Sequence, residues 1–211
     1  MFEIEYKGGN SVIISTKKAK LVVDPKISIV GQKDVSTKGA VEIVTEDRFS
    51  VKNPDITLLI NGPGEYGVAD FDILGIPARR HIDSENEGLK TTMYRVEVGD
   101  SRIGIVGNID HILSDEQLEQ LGVLDILIIP VGGGGYTLDA AAAAGLVRMI
   151  SPKVVIPVHY SDKQLKYEVP QDELSLFVTE LGAPVEVTTK FKLKQPLALQ
   201  TSLVVVEITR S

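Results

Sequence analysis

The chain has no cysteine, so neither a disulfide framework nor a thiolate metal site is available to it. Histidine is scarce: His81, His111 and His159 are the whole supply, and no His-x-His pair exists anywhere. Positive charge is the minority sign. Lys and Arg total 22 against 29 acids, a net charge of −7, which argues against a nucleic-acid partner because such partners need a basic face. No apolar run approaches the ~18 residues of a membrane span, and the start, MFEIEYKGG, carries acids where a secretory signal would be apolar. Together these features imply a cytoplasmic protein with no membrane partner. At 211 residues the chain has the length for a single domain, 1–211, with a sizeable core.

What is present is organised around Asp125–Tyr160. Asp125–Val131 is an apolar run without alternation, as a strand buried on both faces reads. Gly132–Gly135 follows, then Thr137 or Asp139 as a helix cap, then Ala140–Ala144 as helix, with Pro152 as a stop. Lys153–Val158 is a second buried strand, and His159 stands just past its end, where open sheets place ligand-facing residues.

Upstream, Phe2–Tyr6, Val12–Ser15 and Lys20–Val23 form a β-meander closed by Asp24-Pro25. Residues 26–53 are irregular apart from a strand at Ala40–Thr45. Further strands are expected at Ile56–Ile60 and Phe71–Ile76, with a turn at Asn61–Gly64 and a hairpin of Thr92–Val98 with Arg102–Val106. Ser114 and Gln117 make a capping box. Pro170 opens a helix running to Leu181 that Gly182 ends, and Val185–Thr189 and Leu203–Ile208 finish the chain as strands. Lys190, Lys192 and Lys194 alternate on one face as a solvated edge. Two β-rich layers flanked by helices, an α/β (α+β) αββα sandwich, fit this order.

Gly62-Pro63-Gly64-Glu65-Tyr66 and Ile156-Pro157-Val158-His159-Tyr160, with the Leu21–Pro25 segment and the Thr92–Gly107 hairpin in this order, resemble the metallo-β-lactamase fold. The likeness is to its ascorbate-6-phosphate-lactonase-like branch. The resemblance implies a four-layer αββα sandwich and a hydrolase holding zinc or manganese through a His-x-His-x-Asp-His motif, a later His, a Gly-Asp pair and a final His. The sequence departs from that pattern. Glu46 and Arg48 stand at the first two motif histidines, Ser50 and Val51 at its Asp and last His, Asn108 at the Asp of the pair, and Asn10 within the Gly-His-Ser that often precedes the second strand.

Arg48 has no lone pair for a metal, and its charge can replace one by pairing with Glu46 or with an anion. The expectation is therefore a degenerate, metal-free and cofactor-free binding or structural module. Its ligand residues would be Arg48, Asn108, Gly133, Gly134 and His159, its ligand a small anion, and a homo-oligomer is the further partner considered. The alternative is an active hydrolase of a phosphoester or lactone, with His159, His81, Glu46 and Arg48 as catalytic candidates, or a shifted zinc or manganese site on His81, His159 and Asp110. At the glycine run, a phosphate cradle and a plain packing turn both stay open. Of Arg79 and Arg80, at most one faces the pocket.

Overall fold

A computed structural model of the protein describes residues 1–83, 86–193, 197 and 202–211. Alternating residues in the first strands sort into a buried and a half-exposed face: β1 (Phe2–Gly8) buries Phe2, Ile4 and Tyr6 and turns Glu3 and Glu5 outward. It continues through β2 (Ser11–Ser15) and β3 (Lys20–Val23), then β4 (Val41–Ile43) and β5 (Leu58–Ile60). With β13 (Phe191–Leu193), these make a six-stranded sheet in the order β13-β1-β2-β3-β4-β5. The meander β1-β2-β3 is antiparallel, whereas β3, β4 and β5 run parallel.

The second sheet has eight strands. β6 (Gly64–Val68), β7 (Phe71–Ala78), β8 (Thr91–Val98) and β9 (Ser101–Ile105) are antiparallel neighbours. β9, β10 (Ile126–Pro130), β11 (Val154–Val158), β14 (Val204–Ile208) and β12 (Val185–Thr188) run parallel. The two sheets close over one core, where Tyr6, Ile14, Leu21 and Ile43 of the first meet Phe71, Tyr94, Ile128 and Ile156 of the second.

The outer face of the eight-stranded sheet carries the three α-helices of the described residues: α1 (Asp115–Leu121), α2 (Ala140–Ile150) and α3 (Leu174–Leu181). Ser114 and Gln117 close both halves of the expected capping box on α1. Asp139, not Thr137, caps α2 by accepting from the Ala142 amide at 2.8 Å. Ala143, Ala144, Leu146 and Val147 form the buried stripe of α2, the thin alanine side lying close on the sheet. Among the described residues no α-helix covers the six-stranded sheet; that outer layer consists of loops and the 3₁₀ turns Ile27–Val30 and Asp47–Phe49.

The strands and the α/β sandwich follow the expected order, with three corrections. Gly64–Val68, which continues the expected turn, is an edge strand paired with β7, and Glu65 is exposed on it. Pro170 does not open α3, which begins at Leu174 after a Glu173 cap residue. Lys190 is not simply solvated: its ammonium lies 2.8 Å from Glu3 and 2.9 Å from Glu5. Lys194 lies outside the described residues.

Candidate functional site

The parallel strands of both sheets point their C-terminal ends at one rim. Asp24 follows β3, Thr45 and Glu46 follow β4, Gly107 and Asn108 follow β9, and His159 follows β11. The β1–β2 turn adds Asn10 from the same side. Two of these residues, Asp24 (φ 44°) and His159 (φ 52°), hold left-handed backbone, which is uncommon for residues with a Cβ and clusters at functional sites.

Each strained residue is held by several partners. The His159 amide donates to the Gly9 carbonyl at 2.9 Å, with the Tyr6 hydroxyl at 3.3 Å, and its ring stacks on Tyr167 with centroids 5.0 Å apart. The Asp24 amide donates to Ile43, while its buried carboxylate accepts from the Thr45 amide at 2.7 Å and the Thr45 hydroxyl at 2.8 Å. Burial pushes the Asp24 carboxyl up to about 7 in spite of those two donors; the neighbouring Glu46 adds to the rise. Burial, with a smaller push from the Arg48 cation, lowers His159 to about 4.

Between them runs a continuous polar chain. His159 Nδ1 lies 3.1 Å from Asn10 Oδ1, Asn10 Nδ2 donates to Asn108 Oδ1 at 2.8 Å, and Asn108 Nδ2 donates to Glu46 Oε1 at 3.4 Å. Glu46 is buried, and guanidinium groups take both its oxygens: Arg48 Nη2 at 3.0 Å on Oε1 and Arg80 Nη1 at 3.4 Å on Oε2. Arg80 is shared with Asp83, at 2.5 Å. Arg48 also lies over the Phe49 ring, 4.7 Å from its centroid.

The structure thus brings together Glu46, Arg48, Asn108 and His159. Among the described residues, His81 touches the group only through its backbone, its amide donating to the Asn108 carbonyl at 2.8 Å, while its buried Nδ1 has no partner there. Asp110 does not join: it pairs with Arg79 at 3.0 Å, accepts from the Ile112 amide, and has His111 beside it at 3.2 Å. Arg79 and Arg80 part company as adjacent strand-end residues should, and only Arg80 faces the site.

The glycine turn is filled by protein. The Asp172 amide donates to the Gly132 carbonyl at 2.7 Å, and a Cβ on Gly133 would lie 3.2 Å from the Asp172 carboxylate. A Cβ on Gly134 would meet the Pro170 carbonyl. Close packing accounts for glycine at 133 and 134, the Gly133 amide donates to the Leu138 carbonyl at 2.9 Å, and the Asp172 carboxylate lies beside the turn. At Gly132 a Cβ would press on the His159 carbonyl oxygen. Gly132→Ala should therefore lower stability by about 1–3 kcal/mol and shift the His159 ring resonances; an unchanged melting temperature would show that the contact yields freely.

Asn10, Asp24, Arg80 and Tyr167 complete the surroundings. Asn10 and Asp24 were readable as strand-end polar residues; Tyr167 comes from a loop without periodicity. Arg48, Phe49, Asn108, Tyr136, His159 and Tyr167 line a cavity of about 180 Å³, with Glu168 among its other walls. A divalent cation at this rim needs imidazole or carboxylate lone pairs. Here the Glu46 oxygens face two guanidinium groups, the Asn108 oxygen faces an amide, and no described cluster of three or more His, Asp or Glu residues exists. The side chains present do not fit such an ion.

Two facing sheets with a polar site at the strand ends define a protein of the metallo-β-lactamase fold. The model of the beta-lactamase superfamily domain matches residues 3–159, and the chain belongs to that family. A metallo-beta-lactamase superfamily protein from Thermotoga maritima superposes with a TM-score of 0.76 at 22% identity, covering 99% of this chain and 100% of that one. Igni18, a metallo hydrolase from Ignicoccus hospitalis, gives 0.68 at 16% identity over 92% and 99%. Among curated relatives, a protein named UPF0173 metal-dependent hydrolase from Archaeoglobus fulgidus is 27% identical over 123 residues, 55% of this chain and 52% of its own length. One from Thermus thermophilus is 24% identical over 192 residues, 76% and 84% of the two chains. The match to the Archaeoglobus relative thus spans about half of that protein.

Proposed function

We propose that the chain is a degenerate member of this family, in its ascorbate-6-phosphate-lactonase-like branch, and a non-catalytic module that holds a small anion in the rim cavity. The observation that carries this reading is the Arg48 guanidinium 3.0 Å from the buried Glu46 carboxylate, with Arg80 on its other oxygen. A fixed cation stands where the family's motif supplies a metal ligand, so the charge that a metal would offset is already neutralised. Arg48 also lines the cavity, where an anion can pair with it.

Metal analysis by mass spectrometry tests the reading, on protein purified without chelator or histidine tag, before and after incubation with zinc or manganese. The expected result is no stoichiometric metal and no turnover of phosphodiesters, lactones or β-lactams. About one metal per chain, lost in His81→Ala or His159→Ala, would overturn it.

One observation favours a competing reading, a metal-free hydrolase of a phosphoester or lactone: a neutral imidazole, His159, and a cation, Arg48, line the same cavity. The relatives named metal-dependent hydrolases support hydrolase ancestry for either reading. Turnover that survives His159→Ala would remove this alternative.

A further inference from the structure

The polar chain at the rim has only one consistent direction. A carboxylate clasped by two guanidinium groups accepts hydrogen bonds and donates none. Asn108 must therefore turn its NH₂ toward Glu46, which turns its oxygen toward Asn10. Asn10 must then donate with its own NH₂ and present its oxygen to His159. The proton on His159 accordingly belongs on Nδ1, and Nε2 keeps its lone pair. The tautomer is set three residues away, by Glu46.

Nε2 has no hydrogen-bond partner among the described residues, yet it is not a sealed atom, and His159 lines the cavity. Arg48 lines the same space as a donor-only cation. The cavity thus presents a donor cation and a neutral acceptor together, with the Glu168 carboxylate at its exposed margin. Its volume of about 180 Å³ suits a small organic ligand. The walls contributed by Phe49, Tyr136 and Tyr167 suit a short carbon skeleton between the two polar ends.

We infer that this cavity selects a small carboxylate that also carries a hydroxyl: the carboxylate pairs with Arg48, and the hydroxyl donates to His159 Nε2. This deepens the anion-binding reading and rests on it. A simple anion would satisfy Arg48 and leave Nε2 unpaired. A second anionic oxygen would set lone pair against lone pair.

Two measurements test it. Long-range ¹⁵N–¹H correlation of the wild-type imidazole needs no variant and reads the tautomer directly; the Nδ1–H form is expected, and an Nε2–H form would overturn the inference. Titration by chemical shift then compares three probes of one carbon skeleton: lactate, propanoate and lactamide. Lactate is expected to bind at least about fivefold more tightly than propanoate, the equivalent of about 1 kcal/mol for one hydrogen bond, and lactamide to bind least. Equal binding of lactate and propanoate, lost for both in Arg48→Met, would overturn the hydroxyl inference while leaving the anion reading intact. No binding of either acid would overturn both.

Discussion

Glu46→Gln is expected to cost about 3 kcal/mol, the low end of what breaking a buried ion pair costs. Among the described residues, Glu46 is the only acceptor that Arg48, Arg80 and Asn108 share. Gln keeps one carbonyl oxygen and turns an NH₂ toward a guanidinium, donor against donor. The cost stays at the low end because Arg48 is 42% exposed and can swing into solvent, and because Arg80 keeps Asp83. The reverse deletion is expected to be mild. Arg48→Met leaves Glu46 with Arg80 and Asn108 and retains an apolar stem over Phe49, so its cost should be below about 1 kcal/mol. Denaturant unfolding of the two variants checks the asymmetry. Equal costs would mean that Glu46 is not the member on which the cluster depends, and a harmless Glu46→Gln would remove the physical basis for a structural ion cluster at this rim.

That cluster was only partly legible in the sequence, and the division is physical. Where a strand end fixes the register, counting works: the steps from β4 to Glu46 and Arg48, and from β11 to His159, follow from runs that have no other way to be buried. Where a long connection folds back, counting fails. The segment of residues 161–172 has no period; its Tyr167 is placed by stacking on His159, and its Asp172 by the Gly132 carbonyl. The same backbone bond moves the start of α3 away from Pro170, because residues 170–172 are committed to the glycine turn. β6 was hidden for a different reason. Gly64 read as a turn residue, but an edge strand pairs on one side only and tolerates it. Asp110 looked like a site residue by its nearness in sequence to Asn108. Arg79, at the end of the neighbouring strand, takes it away.

Asp24 and His159 supply the second large effect, because their titrations oppose each other. Folded Asp24 keeps its proton to about pH 7, whereas in the unfolded chain it ionises near 4. Between those values the folded state binds the extra proton, so this group's contribution falls as pH rises from about 4 to 7. Folded His159 refuses a proton down to about pH 4, whereas the unfolded chain takes one near 6.5. Its contribution is complete above about 6.5 and is lost as pH falls toward 4. By linkage the two are worth at most roughly 4 and roughly 3 kcal/mol, with opposite slopes over nearly the same window. The wild type is therefore expected to show little net change from this pair between pH 4.5 and 6.5, as roughly set by those values.

Single variants should unmask each slope. Asparagine suits both positions, because it tolerates the left-handed backbone found there and does not titrate. In Asp24→Asn, which still accepts from the Thr45 amide, stability relative to wild type should climb with pH across the window. In His159→Asn it should decline. The carboxyls held below their ordinary range, Glu5, Asp83, Asp110 and Asp162, titrate beneath this window and cancel in the comparison with wild type. Urea unfolding at half-unit steps of pH reads both difference curves. Two parallel, flat curves would show that neither group holds the protonation state that its burial dictates, and with that the neutral acceptor at the rim would lose its support.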